Sequence, residues 1–141
     1  EFFNDMQSKF GMDLYATFHF DADPVVVVAF TVNQATEENF RQYLNDLYEA
    51  YDRALPFAYL FDAQNAVLPG LKFQKRQAEW LKTNESLMKQ YCQGTAYHIP
   101  NPIIRTALKG IFALQQQPVP YKVVGDFQTA MQWCKDAVAG H

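Results

Sequence analysis

The sequence has little charge and no catalytic signature. Of its 141 residues, 19% are charged, and the net charge at pH 7 is −3. Binding of nucleic acid needs a concentrated basic surface, so this balance argues against a nucleic-acid partner. The sequence contains no GxSxG, P-loop or GxGxxG motif, the patterns typical of many hydrolases and nucleotide-binding proteins. We therefore expect a protein without enzymatic activity and without a cofactor.

Cysteines and long apolar runs are also scarce. The two cysteines, Cys92 and Cys134, form no CxxC pair, which favours two reduced structural thiols, although the sequence leaves a disulfide open. The longest purely apolar run, Val25–Phe30, is far shorter than the ~20 residues of a membrane span. The first residues lack a basic segment followed by an apolar core, so we expect no secretory signal. These features predict a cytoplasmic protein without a transmembrane segment.

Aromatic residues, by contrast, are abundant. Hydrophobic residues make up 49% of the sequence and aromatic residues 16%, with 12 Phe and 8 Tyr. A chain of this length and composition is expected to fold as one globular domain. We predict that domain at residues 13–141, after an N-terminal arm at residues 1–12. The aromatic excess is compatible with a Phe-rich core, with an aromatic-lined pocket and with a docking face.

The hydrophobic pattern predicts an α/β fold. Residues 14–20 alternate in polarity, as in a half-buried edge strand, and residues 25–32 form a β-branched run typical of a strand buried on both faces. The turn between them indicates an antiparallel hairpin. Further strands are predicted at residues 57–61, 95–99 and 119–124, and helices at residues 36–55, 71–93, from 102 and 127–138. This order predicts a mostly parallel five-stranded sheet with an antiparallel edge strand and four helices.

The segment from Asp62 to Gly70 is the candidate functional loop. It follows a buried strand and precedes a long helix, where ligands and partners usually meet an open α/β sheet. Our candidate partner- or ligand-binding residues are Asp62, Asn65, Gly70, Lys72, Lys75, Arg76 and Arg105. Each has a structural alternative: turn formation for Asp62 and Asn65, loop shape for Gly70, a solvated helix face for the lysines and Arg76, and a salt bridge for Arg105.

The histidines do not indicate a metal site. His19 and His98 lie in predicted strands without metal-ligand spacing, and neither has a recognisable Cys or Glu companion. The cysteines have no neighbouring His that would mark a nucleophile. Only convergence of Asp62, His98 and Arg105 at the sheet edge would favour an enzyme. We therefore assign no catalytic residue and no metal ligand.

Several of these segments together resemble the SpoIIAA-like (STAS-type) domain family. The likeness rests on the opening hairpin, on an apolar third strand that ends at Asp62, and on Arg105 in a helix after Pro100. It extends through the Pro-x-Pro strand at residues 118–124 to a final helix capped by Asp126 that carries Ala130 and Trp133. The resemblance covers roughly residues 13–139, and it implies a non-enzymatic regulatory module that docks a protein partner.

The family resemblance also points to a difference. Anti-sigma-factor antagonists of this family carry a phosphorylatable Ser at the start of the helix after the third strand, whereas residues 67–71 here are Val-Leu-Pro-Gly-Leu. We therefore expect docking through the loop after strand 3 and the start of the second long helix, without that switch. Self-association into a homodimer is left open. The architecture is also similar to CRAL-TRIO lipid-binding domains, which gives an alternative function: binding or carrying an apolar small molecule such as a lipid.

Overall fold

The computed structural model describes residues 13–140, and the arm predicted at residues 1–12 lies outside that range. The strands are β1 (Ala16–His19), β2 (Val25–Phe30), β3 (Phe57–Asp62), β4 (Cys92–His98) and β5 (Tyr121–Val124). The helices are α1 (Glu37–Asp46), α2 (Glu49–Asp52), α3 (Leu71–Thr83), α4 (Glu85–Tyr91), α5 (Pro102–Leu114) and α6 (Phe127–Ala139).

The strands form one mixed sheet in the order β1-β2-β3-β4-β5. β1 pairs antiparallel with β2, and every later pair is parallel. Because successive parallel strands step across the sheet in one direction, right-handed crossovers place the connecting helices α1 to α5 on one face. The last helix, α6, follows the final strand and covers the other face. The predicted α/β fold, with its antiparallel edge strand, is confirmed.

Alternate side chains of the central strand divide the core into two layers. Phe57, Tyr59 and Phe61 of β3 pack in a large aromatic cluster under α1 to α5. Ala58 and Leu60, on the opposite face, pack in a smaller cluster that contains Ala130 and Cys134 of α6. The large layer is where most of the aromatic residues of the sequence are used, and it is the layer on the side of the functional loop.

The prediction of four helices is wrong, because each of the two long predicted helices is divided. The first breaks after α1 at Leu47 and Tyr48, which keep right-handed helical dihedrals, and resumes as α2. The second breaks at Asn84, whose backbone N–H and side-chain Nδ2 both donate to the carbonyl of Trp80, at 3.0 and 2.9 Å. Asparagine competes with the helix in this way through its short amide. β4 begins at Cys92, earlier than predicted, because α4 ends at Tyr91.

The predicted helix starts are confirmed. Thr36 caps α1 in a capping box with Asn39, Asn101 caps α5 with Pro102 at its first position, and Asp126 caps α6. In each case the side-chain oxygen accepts a hydrogen bond from a backbone N–H that the helix leaves unpaired. Local sequence therefore determines where these helices begin.

Both cysteines carry free, buried thiols. Cys92 packs in the large aromatic layer, whereas Cys134 packs under α6 on the other face of the sheet. Burial raises the pKa of the Cys134 thiol to about 12 and also raises that of Cys92. Both therefore serve as small apolar side chains. Among the helices of residues 13–140, none combines the length and apolar character needed to cross a membrane.

Candidate functional site

Asp62 and His98 meet at the carboxyl edge of the sheet. They occupy aligned positions on the adjacent parallel strands β3 and β4, and Asp62 Oδ1 lies 2.9 Å from His98 Nδ1. The same carboxylate oxygen accepts the backbone N–H of Gln64 at 3.1 Å. Asp62 thus shapes the turn that follows β3 and also fixes the orientation of the buried His98 ring.

Arg105 does not join this pair. Its Nε donates to the carbonyl of Ile99 at 2.8 Å, and the tip of its guanidinium lies beside Gly125. The convergence of Asp62, His98 and Arg105 that would favour an enzyme is therefore only partial, since two of the three are in contact. The salt bridge to Asp62 considered for Arg105 is not formed. In residues 13–140, no cluster of three or more His, Cys, Asp or Glu is placed to hold a metal ion.

Two of the three candidate basic residues of α3 are already paired. Lys72 and Arg76, one turn apart on α3, both form ion pairs with Glu37 at the start of α1, with Arg76 Nη1 2.7 Å from Glu37 Oε1. The hydrogen bonds from Arg76 and then Lys72 lower the pKa of Glu37 to about 2. Both cations also lie 5.5 Å from the ring centre of Phe73. These residues tie α3 to α1.

Lys75 differs from its two neighbours. Its side chain is exposed, and it forms no ion pair with any residue between 13 and 140. Of the three basic residues, Lys75 is therefore the one available to meet an external acidic group.

The loop positions Asn65 and Gly70 are exposed. Asn65 lies in the turn after β3, as predicted. Gly70 is the N-cap of α3 and has an extended backbone conformation, with φ −66° and ψ 164°. A Cβ added at Gly70 would meet nothing within 4 Å, so neither backbone conformation nor space requires glycine there. Gly70 forms the exposed start of α3.

Of the eight exposed large hydrophobic side chains of the described residues, four lie at the carboxyl edge. The three most exposed large hydrophobic residues of the described chain are Leu71 at 73%, Val32 at 70% and Ile103 at 62%. Val32 follows β2, Leu71 begins α3 after β3, and Ile103 lies in the first turn of α5 after β4. Leu68 in the loop adds a fourth, at 45%. Because β2, β3 and β4 are parallel, all four residues lie along one edge of the sheet.

The large layer contains a cavity of about 90 Å³ between the sheet and helices α1 to α5. Aromatic and aliphatic side chains form most of its lining, including Phe40, Tyr43 and Tyr51 from the first helical segment. The loop after β3 contributes Ala63, Ala66, Val67 and Pro69. The aromatic surplus noted in the sequence therefore lines a cavity, except for Tyr48, which lies near the surface and packs on Trp80.

The polar groups of the cavity lining are mostly paired with one another. Tyr43 Oη donates to Gln77 at 2.8 Å, Tyr59 Oη to the carbonyl of Leu47 at 2.5 Å, and Gln117 Nε2 to Tyr97 Oη at 2.6 Å. Burial raises the pKa of each of these tyrosines well above its ordinary value. At neutral pH their hydroxyls are uncharged, and the cavity is an apolar environment.

Sequence reasoning missed three features of this region. Glu37 is not among the candidate residues, although it forms ion pairs with both Lys72 and Arg76. His98 was considered only as part of an enzyme site with Asp62 and Arg105, although the register of two parallel strands aligns it with Asp62. The signal for the cavity was the aromatic excess of the first helix. Helical spacing shows that such residues share a face, but not that space is left between them.

The fold defined here is a single mixed five-stranded sheet with helices on both faces. No protein-family model matches the sequence, and no curated protein matches it either. Among solved structures, the chain is similar to an anti-sigma factor antagonist from Mycobacterium paratuberculosis. The TM-score is 0.56 at 16% identity, over 86% of this chain and 93% of that one. This similarity confirms the fold expected from the SpoIIAA-like (STAS-type) resemblance.

Proposed function

We propose that this protein is a non-enzymatic regulatory module that docks a protein partner through the carboxyl edge of its sheet. The observation that carries the proposal is the placement of Val32, Leu71 and Ile103, the three most exposed large hydrophobic side chains of residues 13–140, along that one edge. Exposed apolar residues grouped on a surface are typical of protein-binding sites. The fold shared with an anti-sigma factor antagonist supports the same class of function.

The docking surface in this proposal consists of the loop from Asp62 to Gly70, the first turns of α3 and the start of α5 with Arg105. Exposed Leu68 and Leu71 supply apolar contact area, while unpaired Lys75 supplies a positive charge beside it. We therefore expect a partner surface that combines apolar residues with an acidic group. Residues 67–71 contain no hydroxyl side chain, so docking would proceed without phosphorylation at this position. The proposal keeps the cytoplasmic location expected from the sequence.

Site-specific photo-crosslinking in the native host tests this surface. A photo-reactive amino acid at position 71 is expected to give a discrete adduct with one partner. The matched control is position 114: Leu114 is also exposed, at 56%, but it ends α5 at the opposite edge of the sheet. Equal adducts from both positions, or none from position 71, would contradict the proposal. An adduct with a second copy of the chain would show self-association instead.

Charge reversal then tests the role of Lys75. We expect Lys75→Glu to reduce the adduct by about fivefold, because exposed charge pairs contribute up to about 1 kcal/mol. Lys135→Glu is the control, since Lys135 is exposed on α6 across the sheet. Reversal at Lys72 is a less clean test, because it would also break the ion pair with Glu37. Equal losses for Lys75→Glu and Lys135→Glu would indicate a general charge effect without a docking role.

A further inference from the structure

The cavity of the large layer has the features of a ligand site. Protein interiors normally fill such space, because they pack as densely as organic crystals. The volume of about 90 Å³ is smaller than the roughly 150 Å³ of an apolar cavity that binds benzene. One aromatic ring is therefore the upper limit for the size of the occupant, and a long lipid chain is too large. The lipid considered from the sequence does not fit this space.

The lining determines the charge of the occupant. Of the described residues that line the cavity, none is Asp, Glu, Lys, Arg or His. An ion buried there would lose its hydration without gaining a counter-charge, at a cost that far exceeds that of an uncharged polar group. The occupant must accordingly be neutral.

Two unpaired hydrogen-bond donors determine the polarity of the occupant. The hydroxyl of Tyr51 and the indole N–H of Trp80 are buried and have no hydrogen-bond partner in residues 13–140. Both side chains line the cavity, are more than nine-tenths buried, and have ring centres 6.5 Å apart. A buried donor without an acceptor is unfavourable, so the occupant should carry an acceptor.

We propose that the cavity between the sheet and helices α1 to α5 binds one neutral, ring-sized apolar molecule that bears a hydrogen-bond acceptor near Tyr51 and Trp80. Water satisfies these donors less well, because a buried water needs several polar partners and most of the lining is apolar. The ligand site does not depend on the docking function, because the exposed docking residues Leu68, Leu71 and Lys75 do not line the cavity.

Three probes of nearly equal size separate these requirements. Acetophenone is neutral and has a carbonyl acceptor, ethylbenzene lacks the acceptor, and benzoate is charged. Binding of each to the full chain can be followed by isothermal titration and by chemical-shift changes of the lining residues. We expect acetophenone to bind about fivefold more tightly than ethylbenzene, as for one hydrogen bond. We expect benzoate to bind at least about a hundredfold more weakly than acetophenone.

Two variants connect binding to the cavity itself. Ala107→Leu places a larger side chain in the lining and should weaken acetophenone binding at least about tenfold. Ala113→Leu is its control, because Ala113 is exposed on the same helix. Trp80→Phe removes one donor and should bring the affinities for acetophenone and ethylbenzene together. If Ala107→Leu fails to fold, the Trp80→Phe comparison still decides the proposal.

Three results would overturn the proposal. The first is no acetophenone binding up to its solubility limit. The second is benzoate binding as tight as that of acetophenone. The third is unchanged acetophenone binding in a folded Ala107→Leu or an unchanged probe preference in Trp80→Phe. Photo-crosslinking at position 71 is independent of these results, so failure of the ligand site and failure of the docking function can be told apart.

Discussion

Ala54 is the residue at which the backbone departs most from an ordinary conformation. Its φ is +54°, and no other non-glycine residue between 13 and 140 has a positive φ. The cause lies in its neighbours: α2 ends at Asp52, and Leu55 precedes Pro56, which disfavours helical dihedrals at Leu55. The predicted helix to residue 55 therefore ends early, and the chain leaves α2 through one left-handed residue.

We expect Ala54→Gly to stabilise the protein by up to about 1 kcal/mol. The left-handed conformation costs an L-residue roughly 1–2 kcal/mol, and glycine avoids this cost while losing somewhat more entropy on folding. Urea unfolding measures the difference. Ala113→Gly, at an exposed position within α5, should instead destabilise by about 1 kcal/mol. Similar destabilisation by both substitutions would show that Ala54 is not strained.

At the scale of the element, α1 ends with an unfavourable charge. Asp46 is half-buried in the last turn, where the helix dipole disfavours a negative side chain. Burial raises the pKa of Asp46 above its usual value, repulsion from Glu49 adds to this, and the hydrogen bond from Gln42 opposes it. A raised folded-state pKa means that the folded protein binds the proton more tightly, so stability falls as pH rises through that pKa.

We therefore expect Asp46→Asn to stabilise the protein at pH 7 and to have little effect at pH 3, where Asp46 is protonated. The gain should be about 0.3–0.5 kcal/mol, because solvent screens a half-exposed side chain. Asp136→Asn is the matched control: Asp136 accepts the same i,i+4 bond from a glutamine, Gln132, near the end of α6, but is exposed. Urea unfolding at both pH values gives the comparison. Equal gains would assign the effect to the helix dipole alone.

Some helix starts could be predicted from the sequence, because the residues that determine them are close together in the chain. The caps at Thr36, Asn101 and Asp126 act within one turn, so their positions follow from neighbouring residues. The break at Asn84 was missed because the apolar helical spacing continues through it, whereas the side-chain bond to Trp80 ends the helix. The pairing of Asp62 with His98 depends on strand register, which helix and strand patterns do not determine.

The candidate site also combines features that neighbouring residues determine with contacts between distant elements. Asn65 lies in a turn as predicted, but Lys72 and Arg76 are paired with Glu37 from another helix. That contact depends on how α1 and α3 pack on the sheet. Composition indicates an excess of aromatic residues, while the alternatives of core, pocket and docking face stayed open. Only the packed arrangement distinguishes a filled core from the observed cavity.

At the scale of the whole molecule, the two proposed sites share one segment. Residues 63–69 form part of the cavity wall through Ala63, Ala66, Val67 and Pro69. The same loop presents exposed Leu68 at the proposed docking surface. A molecule in the cavity would therefore contact the inner side of the loop whose outer side meets the partner. α6 lies across the sheet from both and packs in a separate cluster.

Hydrogen exchange should detect this connection. With acetophenone at saturation, we expect exchange of backbone amides in residues 63–68 to slow by about tenfold, because filling the space beneath the loop opposes its local opening. Exposed amides near the start of α6 serve as the internal control and should change little. Mass spectrometry of peptides from the loop and from α6 provides the measurement. Uniform slowing in both regions would indicate global stabilisation, and unchanged exchange in the loop would show that cavity occupancy is not transmitted to the docking surface.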